Sequence, residues 1–439
     1  MSELTRQRSW DTMPPIVYKA LDLFSNPSHT RWIAPLLLVF EAVLCGGIIW
    51  KIPYTEIDWA TYMKQVEVFL NGERRYEKLT GPTGPCVYPA MHVYIYSALY
   101  YATERGKDIM KGQIFFALLY LATLALVLQC YRRVNAPPWL LAPLVLSKRL
   151  HSVFMLRMFN DCFAAFFFWL AIYLLHRRKW GPAAFVWGVG VGVKMTLLLA
   201  APGLAIVLLH GAGMKEAVTA GMAVVGFQAI IGTPFLQNDA KMYLKQAFDF
   251  GRVFLFKWTV NWRFLGESIF LDKGFAVALL VVHISLLLAF AHAKWVRMTS
   301  RGLPEFIGKC LRGFSDREQK SASQRLTSIM IMDASLTSMV VGLLCARSLH
   351  YQFYAYLAWA TPYLLWRAGG EWMWTLLNWA IQEVAWNIFP STSISSMVVV
   401  SELAIQVLSV LIAPLTDEGR PAPLRSSTDE FVPRKSKRR

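Results

Sequence analysis

Apolar residues run through this chain in blocks, and polar residues gather between the blocks. Trp32–Trp50 and Phe115–Cys130 are the clearest runs. A helix needs about 20 mainly apolar residues to cross a bilayer, so the pattern predicts membrane-spanning helices. The basic residues between blocks orient them, because short cytosolic connectors carry excess Lys and Arg. Trp32–Trp50 follows Arg6, Arg8, Lys19 and Arg31, which places residues 1–31 in the cytosol and the polar stretch Lys51–Pro89 outside. Ala90–Tyr101 is short and rich in tyrosine, and is expected to lie on the membrane surface.

The remaining blocks alternate. Gln113–Cys130 crosses inward to Arg132 and Arg133, and Trp139–Leu146 with its flanks returns. Phe163–Leu175 leads in to Arg177, Arg178 and Lys179. Phe185–Val193 and Met195–Leu209 form an out-and-in pair around Lys194, and Val218–Phe235 exits. Phe275–Ala293 re-enters, Leu326–Ala346 exits, Phe353–Leu365 enters, Trp372–Phe389 exits and Met397–Ile412 returns. The connector Lys294–Arg325 carries eight basic residues against three acids, as a cytosolic loop should. The expected architecture is an all-α polytopic membrane domain over residues 32–415. It has about twelve spans, long external loops at 51–111 and 236–273, a cytosolic loop at 294–325, and a cytosolic tail at 416–439.

Composition agrees: 55% of the 439 residues are hydrophobic and only 17% are charged, against about 25% charged in soluble domains. The formal net charge of +17 would suit nucleic acid. However, the cations sit in connectors, where they meet lipid head groups instead. Six cysteines are scattered, mostly within apolar blocks, so no disulfide framework is expected. Met1–Thr30 is polar and is not read as a cleavable leader. The chain closes on Lys435-Ser436-Lys437-Arg438-Arg439. That ending reads either as a dilysine signal retrieving membrane proteins to the endoplasmic reticulum, or as a basic tail on anionic lipid.

The external face collects five polar clusters. Just after the first block comes Tyr54-Thr55-Glu56-Ile57-Asp58-Trp59. Asp58 is a candidate general base, with Glu56 the competing acid; the plainer alternative makes Asp58 the cap of a helix starting at Trp59. Arg149, His151, Arg157, Asn160 and Asp161 form the second cluster. Arginine suits phosphate, although snorkelling would look alike. Asp161, entering an apolar run, is costly unless it serves a function or pairs with Arg157. Lys194, in the third cluster, needs a counter-ion, either a lipid phosphate or Asp161. The fourth cluster holds Arg252, Lys257, Trp258, Asn261, Trp262, Arg263 and Phe264. Its aromatic faces suit sugar rings and its cations a pyrophosphate, but an interfacial aromatic belt has the same composition. Arg347 and His350, followed by Tyr351 and Gln352, are three apart, which a helix would place on one face.

Tyr54–Trp59, Arg149–Asp161, Lys257–Phe264 and Arg347–Phe353 resemble the dolichyl-phosphate-mannose-dependent alpha-1,3-mannosyltransferase family of the asparagine-linked glycosylation pathway. One departure is Thr196, where asparagine is expected after Lys194-Met195. The resemblance implies a GT-C glycosyltransferase fold with its site at the lumenal face of the endoplasmic reticulum membrane. It also implies dolichyl-phosphate-mannose as donor and a five-mannose dolichyl-pyrophosphate oligosaccharide as acceptor. Transfer from a beta-linked donor to an alpha-linked product inverts the anomeric centre, so one base suffices. Asp58 is the expected base. Arg347, His350, Lys194 and Arg157 are expected at the donor phosphate. Glu56, Trp59, His151, Asn160, Asp161, Lys257, Trp258, Asn261, Trp262, Arg263, Tyr351 and Gln352 are expected to line the substrate site. No Asp-x-Asp pair occurs at these clusters, so neither a metal nor another cofactor is expected. The alternatives are a lipid-linked sugar transporter or flippase, another dolichyl-phosphate-sugar-dependent transferase, and a non-catalytic lipid-binding subunit.

Overall fold

A computed structural model describes residues 14–251 and 255–414. The terminal segments, with the dilysine-type ending, Arg6 and Arg8, lie outside the described residues, as does Arg252. Nearly every apolar block forms a helix. Thr30–Lys51 shows why: Ala34, Glu41 and Cys45 fall on one stripe and are buried, while Leu36, Val39, Phe40 and Val43 are exposed. An exposed apolar face is what a lipid-facing helix presents. Lys273–Phe290 repeats the pattern, burying only Leu279 and Phe290. Ser328–Leu344 is the opposite case, buried along almost its whole length at the centre of the bundle. The chain is an all-α polytopic membrane protein.

The spans differ in form from an ideal set of twelve. Five helices are long and apolar enough to cross a membrane, and two bent pairs would bring the number to seven. Asp161–His176 and Trp180–Val193 are helical but shorter. The run expected at Phe353–Leu365 is broken into a 3-10 turn at Tyr351–Phe353 and helices Tyr354–Leu357 and Thr361–Arg367. Pro138–Leu144 is a 3-10 segment bent 44° from Lys148–Leu156. Pro143, inside that segment, has no N–H to donate and crowds the preceding turn, which works against a straight α-helix. Ala90–Ala102 spans 13 residues, roughly 20 Å at 1.5 Å per residue, too short to cross.

Both long segments expected to be external are partly structured. Helix Trp59–Leu70 occupies the first. A two-stranded hairpin, Thr80–Gly81 with Gly84–Pro85, folds over the start of that helix. Gly81 allows the contact: a β-carbon there would come within 2.7 Å of the Thr61 backbone. In the second, helix Met214–Ala247 runs past the expected span end and kinks at Asp239. The basic connector also folds, into Leu303–Arg312 and Asp316–Arg325. Ser315 and Glu318 close a capping box at the second of these helices.

Candidate functional site

Asp58 and Glu56 divide two duties that the sequence leaves open. Asp58 stands at the N-cap position of helix Trp59–Leu70, yet its side chain caps nothing. Glu56 takes that role: its Oε1 accepts from the Ala60 N–H at 3.1 Å, and its Oε2 accepts from the Tyr54 hydroxyl at 2.5 Å. A carboxylate at a helix N-terminus also complements the helix dipole. The Asp58 carboxylate is therefore turned away from its own helix. Oδ1 accepts from the Thr83 hydroxyl at 3.1 Å, and Oδ2 from the Tyr62 hydroxyl at 3.4 Å. Thr83 sits at the exposed tip of the hairpin. Its single proton is shared between Asp58 and the Thr61 hydroxyl, which accepts at 2.8 Å. Burial pushes the Asp58 carboxyl above its ordinary range, against the Thr83 hydrogen bond and the Lys194 charge, which both lower it. We expect Glu56→Ala to cost about 1 kcal/mol of stability, as cap losses typically do, measured as a lowered melting temperature. Glu56→Gln, which keeps the acceptor, should cost less.

Behind Asp58 lies a buried polar chain. Lys194 pairs with Asp161, so the lysine's counter-ion is this acid and Asp161 is not paired with Arg157. Lys194 breaks the helical run at Val193, where its backbone is extended. Its ammonium also reaches Asn160 Oδ1 at 3.4 Å. That contact orients the Asn160 amide, whose Nδ2 faces His92 Nδ1 at 3.3 Å. His92 Nδ1 is thus the acceptor, and the ring proton resides on Nε2. Burial, aided by the Lys194 charge, drives the His92 pKa down to about 3, so the ring is neutral. Tyr62 and Tyr88 pack on His92, with ring centroids 4.8 and 4.6 Å away, and Lys194 lies 5.6 Å from the Tyr88 ring centre. Tyr62 contacts both Asp58 and His92, which joins the carboxylate to the chain. Tyr62, Thr83, Tyr88 and His92 are not among the residues that the sequence marks out as a site. The spacing of four between His92 and Tyr96 carries part of the signal, since helix Ala90–Ala102 sets them on one face, while Tyr88 precedes that helix.

Other expected site residues are placed differently. Trp59 is buried, packs on Tyr96 and Phe116, and spends its ring N–H on the Gly106 carbonyl at 2.9 Å. It is a framework residue, with no face left for substrate. His151 is locked inside the bundle, with Nδ1 on the Ser147 carbonyl and Nε2 on Glu41, both at 2.7 Å. Neither nitrogen remains for a sugar. Asn261 is also committed: Oδ1 accepts from the Leu349 N–H at 2.7 Å, and Nδ2 donates to the Ala346 carbonyl at 2.8 Å. With Trp262, whose ring N–H donates to the same carbonyl at 3.0 Å, it straps its own loop onto Ala346–Leu349. Trp262 holds a left-handed backbone, φ +50°, a strained conformation worth about 1–3 kcal/mol that such bonds must offset. Arg347–His350 is not helical, because helix Ser328–Leu344 ends first and His350 is extended. The shared face expected from their spacing does not form.

The remaining cations are held by local partners. Arg347 Nε donates to the Phe270 carbonyl at 3.0 Å. Arg149 donates to the Trp386 carbonyl at 2.9 Å and stacks on Tyr351 at 4.6 Å. Arg157, half-buried, donates to Ser152. It follows Leu156, whose carbonyl accepts from the Thr55 N–H at 2.9 Å, so it sits beside the Asp58 loop. Arg263 donates to the Phe256 and Lys257 carbonyls. Lys257 and Trp258 are exposed, with the ammonium 4.8 Å from the indole centre. Gln352 is half-buried. Among the described residues, no three His, Cys, Asp or Glu side chains converge as metal ligands would.

Comparison with known proteins sets this arrangement in a family. A profile described as ALG3 protein matches residues 35–396. A Neurospora crassa protein named Dol-P-Man:Man(5)GlcNAc(2)-PP-Dol alpha-1,3-mannosyltransferase is 49% identical, over 91% of this chain and 93% of its own. Proteins of the same name from Homo sapiens and Arabidopsis thaliana are 43% and 40% identical. The human alignment covers 85% of each chain, and the plant alignment covers 90% of this chain and 91% of the relative. No solved structure matches the chain.

Proposed function

This chain belongs to the ALG3 protein family, and from that membership we propose that it transfers mannose from dolichyl-phosphate-mannose, in alpha-1,3 linkage, to a five-mannose dolichyl-pyrophosphate oligosaccharide. The observation that carries the reading is the Asp58 carboxylate. It is released from capping by Glu56, held by Thr83 and Tyr62, and set before the Lys194–Asp161 pair. In the proposed step Asp58 takes the proton of the acceptor hydroxyl. The hydroxyl oxygen attacks the anomeric carbon from the face opposite the phosphate. The carbon–oxygen bond to phosphate breaks, its electron pair leaves with the phosphate, and the anomeric centre inverts. Cations stabilise the charge that develops on the leaving group. Arg347, His350 and Arg157 are the donor-phosphate candidates. Lys194, already paired with Asp161, contributes chiefly by fixing the floor of the site. Lys257, Trp258, Trp262, Arg263, Tyr351 and Gln352 are the candidates for contact with the acceptor's sugars and pyrophosphate.

The setting we propose is a GT-C arrangement of about twelve membrane-crossing segments in the endoplasmic reticulum membrane. The Asp58 loop and the Lys257–Phe264 loop face the lumen, and the Leu303–Arg325 helices face the cytosol. The leaving group is already a phosphate, so no strong acid is required, and side-chain cations can take the part of a metal. The test is transfer of radiolabelled mannose by purified protein. We expect a six-mannose product and a rate that EDTA leaves unchanged. No transfer to the lipid-linked acceptor would overturn the reading, and a chelated enzyme revived by manganese would overturn its metal-independent form. Arg347→Ala is expected to weaken donor use about ten- to a hundredfold, the range for losing a charge-assisted contact. Donor saturation curves for this variant and for His350→Ala check the assignment. Wild-type curves in both would move the phosphate to Arg157.

A further inference from the structure

At the far end of helix Ser328–Leu344 from Arg347, two adjoining cavities of about 250 and 270 Å³ share Arg325 in their walls. The helix is 17 residues long; the first cavity runs along it from Ile329 to Thr337, so its nearer wall stands about 10 Å, at 1.5 Å per residue, from the helix end that leads to Arg347. The first is also lined by Lys294, Asp333 and Arg367, with apolar walls that include Phe290 and Val410. The second adds Lys309, Arg317 and Glu318.

The acids at these cavities are already taken. Asp333 accepts from Arg367 at 3.1 Å and from the Tyr363 hydroxyl at 2.6 Å. Glu318 accepts from both terminal nitrogens of Arg312, at 2.6 and 3.2 Å, and from Ser315. Lys309 is matched by Glu305 at 2.6 Å. Lys294, Arg317 and Arg325 remain, and none has a carboxylate within ion-pair distance among the described residues. Lys294 donates only to the Ala413 carbonyl, while Arg317 and Arg325 form no hydrogen bond there. Lys294 and Arg325 at the first cavity, and Arg317 and Arg325 at the second, are left without an ion-pair partner among the described residues, and beside the greasy wall of the first they suit an anion that carries apolar chains. Helix Leu303–Arg312 borders the second cavity and exposes Ile307 and Leu311, four apart on one face, at 47% and 84%. That stripe fits the acyl boundary of a bilayer leaflet.

We propose that these cavities bind the phosphate head group of an anionic glycerophospholipid. Its phosphate lies between Arg317 and Arg325, with Lys294 behind, and an acyl chain runs along the Phe290–Val410 wall. Guanidinium forks match phosphate oxygens in pairs, and basic pockets at the ends of membrane helices are suited to such head groups. The site is remote from Asp58 and does not depend on what reaction Asp58 serves.

Full-length protein in detergent is titrated with dioctanoyl phosphatidic acid, dioctanoyl phosphatidylcholine or inorganic phosphate, and its melting temperature is read. Phosphatidic acid is expected to raise it saturably. Phosphatidylcholine should leave it unchanged, and inorganic phosphate should act at least about tenfold more weakly. The double variant Arg317→Gln/Arg325→Gln should weaken the phosphatidic acid response at least about tenfold while mannose transfer stays within about twofold of wild type. If the double variant does not fold, each single variant is read by the same criterion. An equal rise with phosphatidylcholine overturns the proposal, since chains alone would then suffice. An equal rise with inorganic phosphate overturns it too, because the ligand would be a free anion. A full response in the arginine variants overturns the assignment of the site. Wild-type protein that transfers no mannose would count against the proposed reaction and would leave the lipid titration intact.

Discussion

Asp58→Asn is expected to lower mannose transfer by at least about 100-fold, the low end for loss of a general base, in protein that purifies and melts like wild type. Asparagine keeps the size of the side chain and one oxygen that can accept from Thr83. Only the basic carboxylate is lost. The substitution separates a base from a helix cap cleanly, because capping belongs to Glu56 through the Ala60 N–H and not to Asp58. Glu56→Gln should therefore hurt transfer far less. A second signature is the pH dependence. A base works only when ionised, and burial raises the Asp58 carboxyl above its ordinary range. Transfer should consequently fall on acidification at a pH higher than an ordinary carboxylate would give, and recover as pH rises. Thr83→Val removes the donor to Oδ1 and should move that acidic limb higher still, since a hydrogen bond to the charged form lowers the pKa. An active Asp58→Asn enzyme beside an inactive Glu56→Gln one would reverse the two roles.

The legible part of this chain was its hydrophobic plan. Blocks such as Trp32–Trp50 fold as helices with lipid-facing apolar stripes, as their length requires. The Lys194–Asp161 pair was also within reach, since a buried lysine and a buried acid each demand a partner. What escaped was anything decided by local backbone geometry. The three-residue spacing of Arg347 and His350 implied a shared face, but helix Ser328–Leu344 stops before them and the spacing lost its meaning. Pro143 lies within an expected span that folds as a bent 3-10 segment.

Site residues escaped for a related reason. A polar side chain in an external loop reads as a substrate contact when its hydrogen-bond partners are unknown. Asn261 and His151 show the error: each has its polar atoms bound within the protein, Asn261 by backbone groups of the distant Ala346–Leu349 segment and His151 by the nearby Ser147 carbonyl and the distant Glu41. Thr83 escaped in the other direction. It stands in Gly81-Pro82-Thr83-Gly84-Pro85, a turn composition, and only the folding of that hairpin over Thr61 carries its hydroxyl to Asp58.

Asp161→Asn should damage the fold more than Asp58→Asn, Glu56→Ala or Arg347→Ala. The pair it breaks is almost wholly buried, with Asp161 inaccessible and Lys194 nearly so. Removing one member leaves an uncompensated ammonium in the bundle, which typically costs about 3–5 kcal/mol. The loss should appear as a sharply lowered melting temperature or poor recovery of monodisperse protein. Adding Lys194→Met removes the stranded charge at similar length and should restore much of the stability, since a buried pair replaced by apolar groups is often neutral. That double variant also tests what the lysine does beyond pairing. Coulombic attraction from Lys194 opposes the burial that raises the Asp58 carboxyl. Without it, Asp161 also being neutral, the acidic limb of transfer shifts according to which of the two charges Asp58 feels more. Lys194 acts before Asp161 in that balance, so the limb should move to higher pH. A folded double variant with an unshifted limb would make the pair a purely structural element. A single Asp161→Asn protein as stable as wild type would mean that this pair does not hold the bundle together.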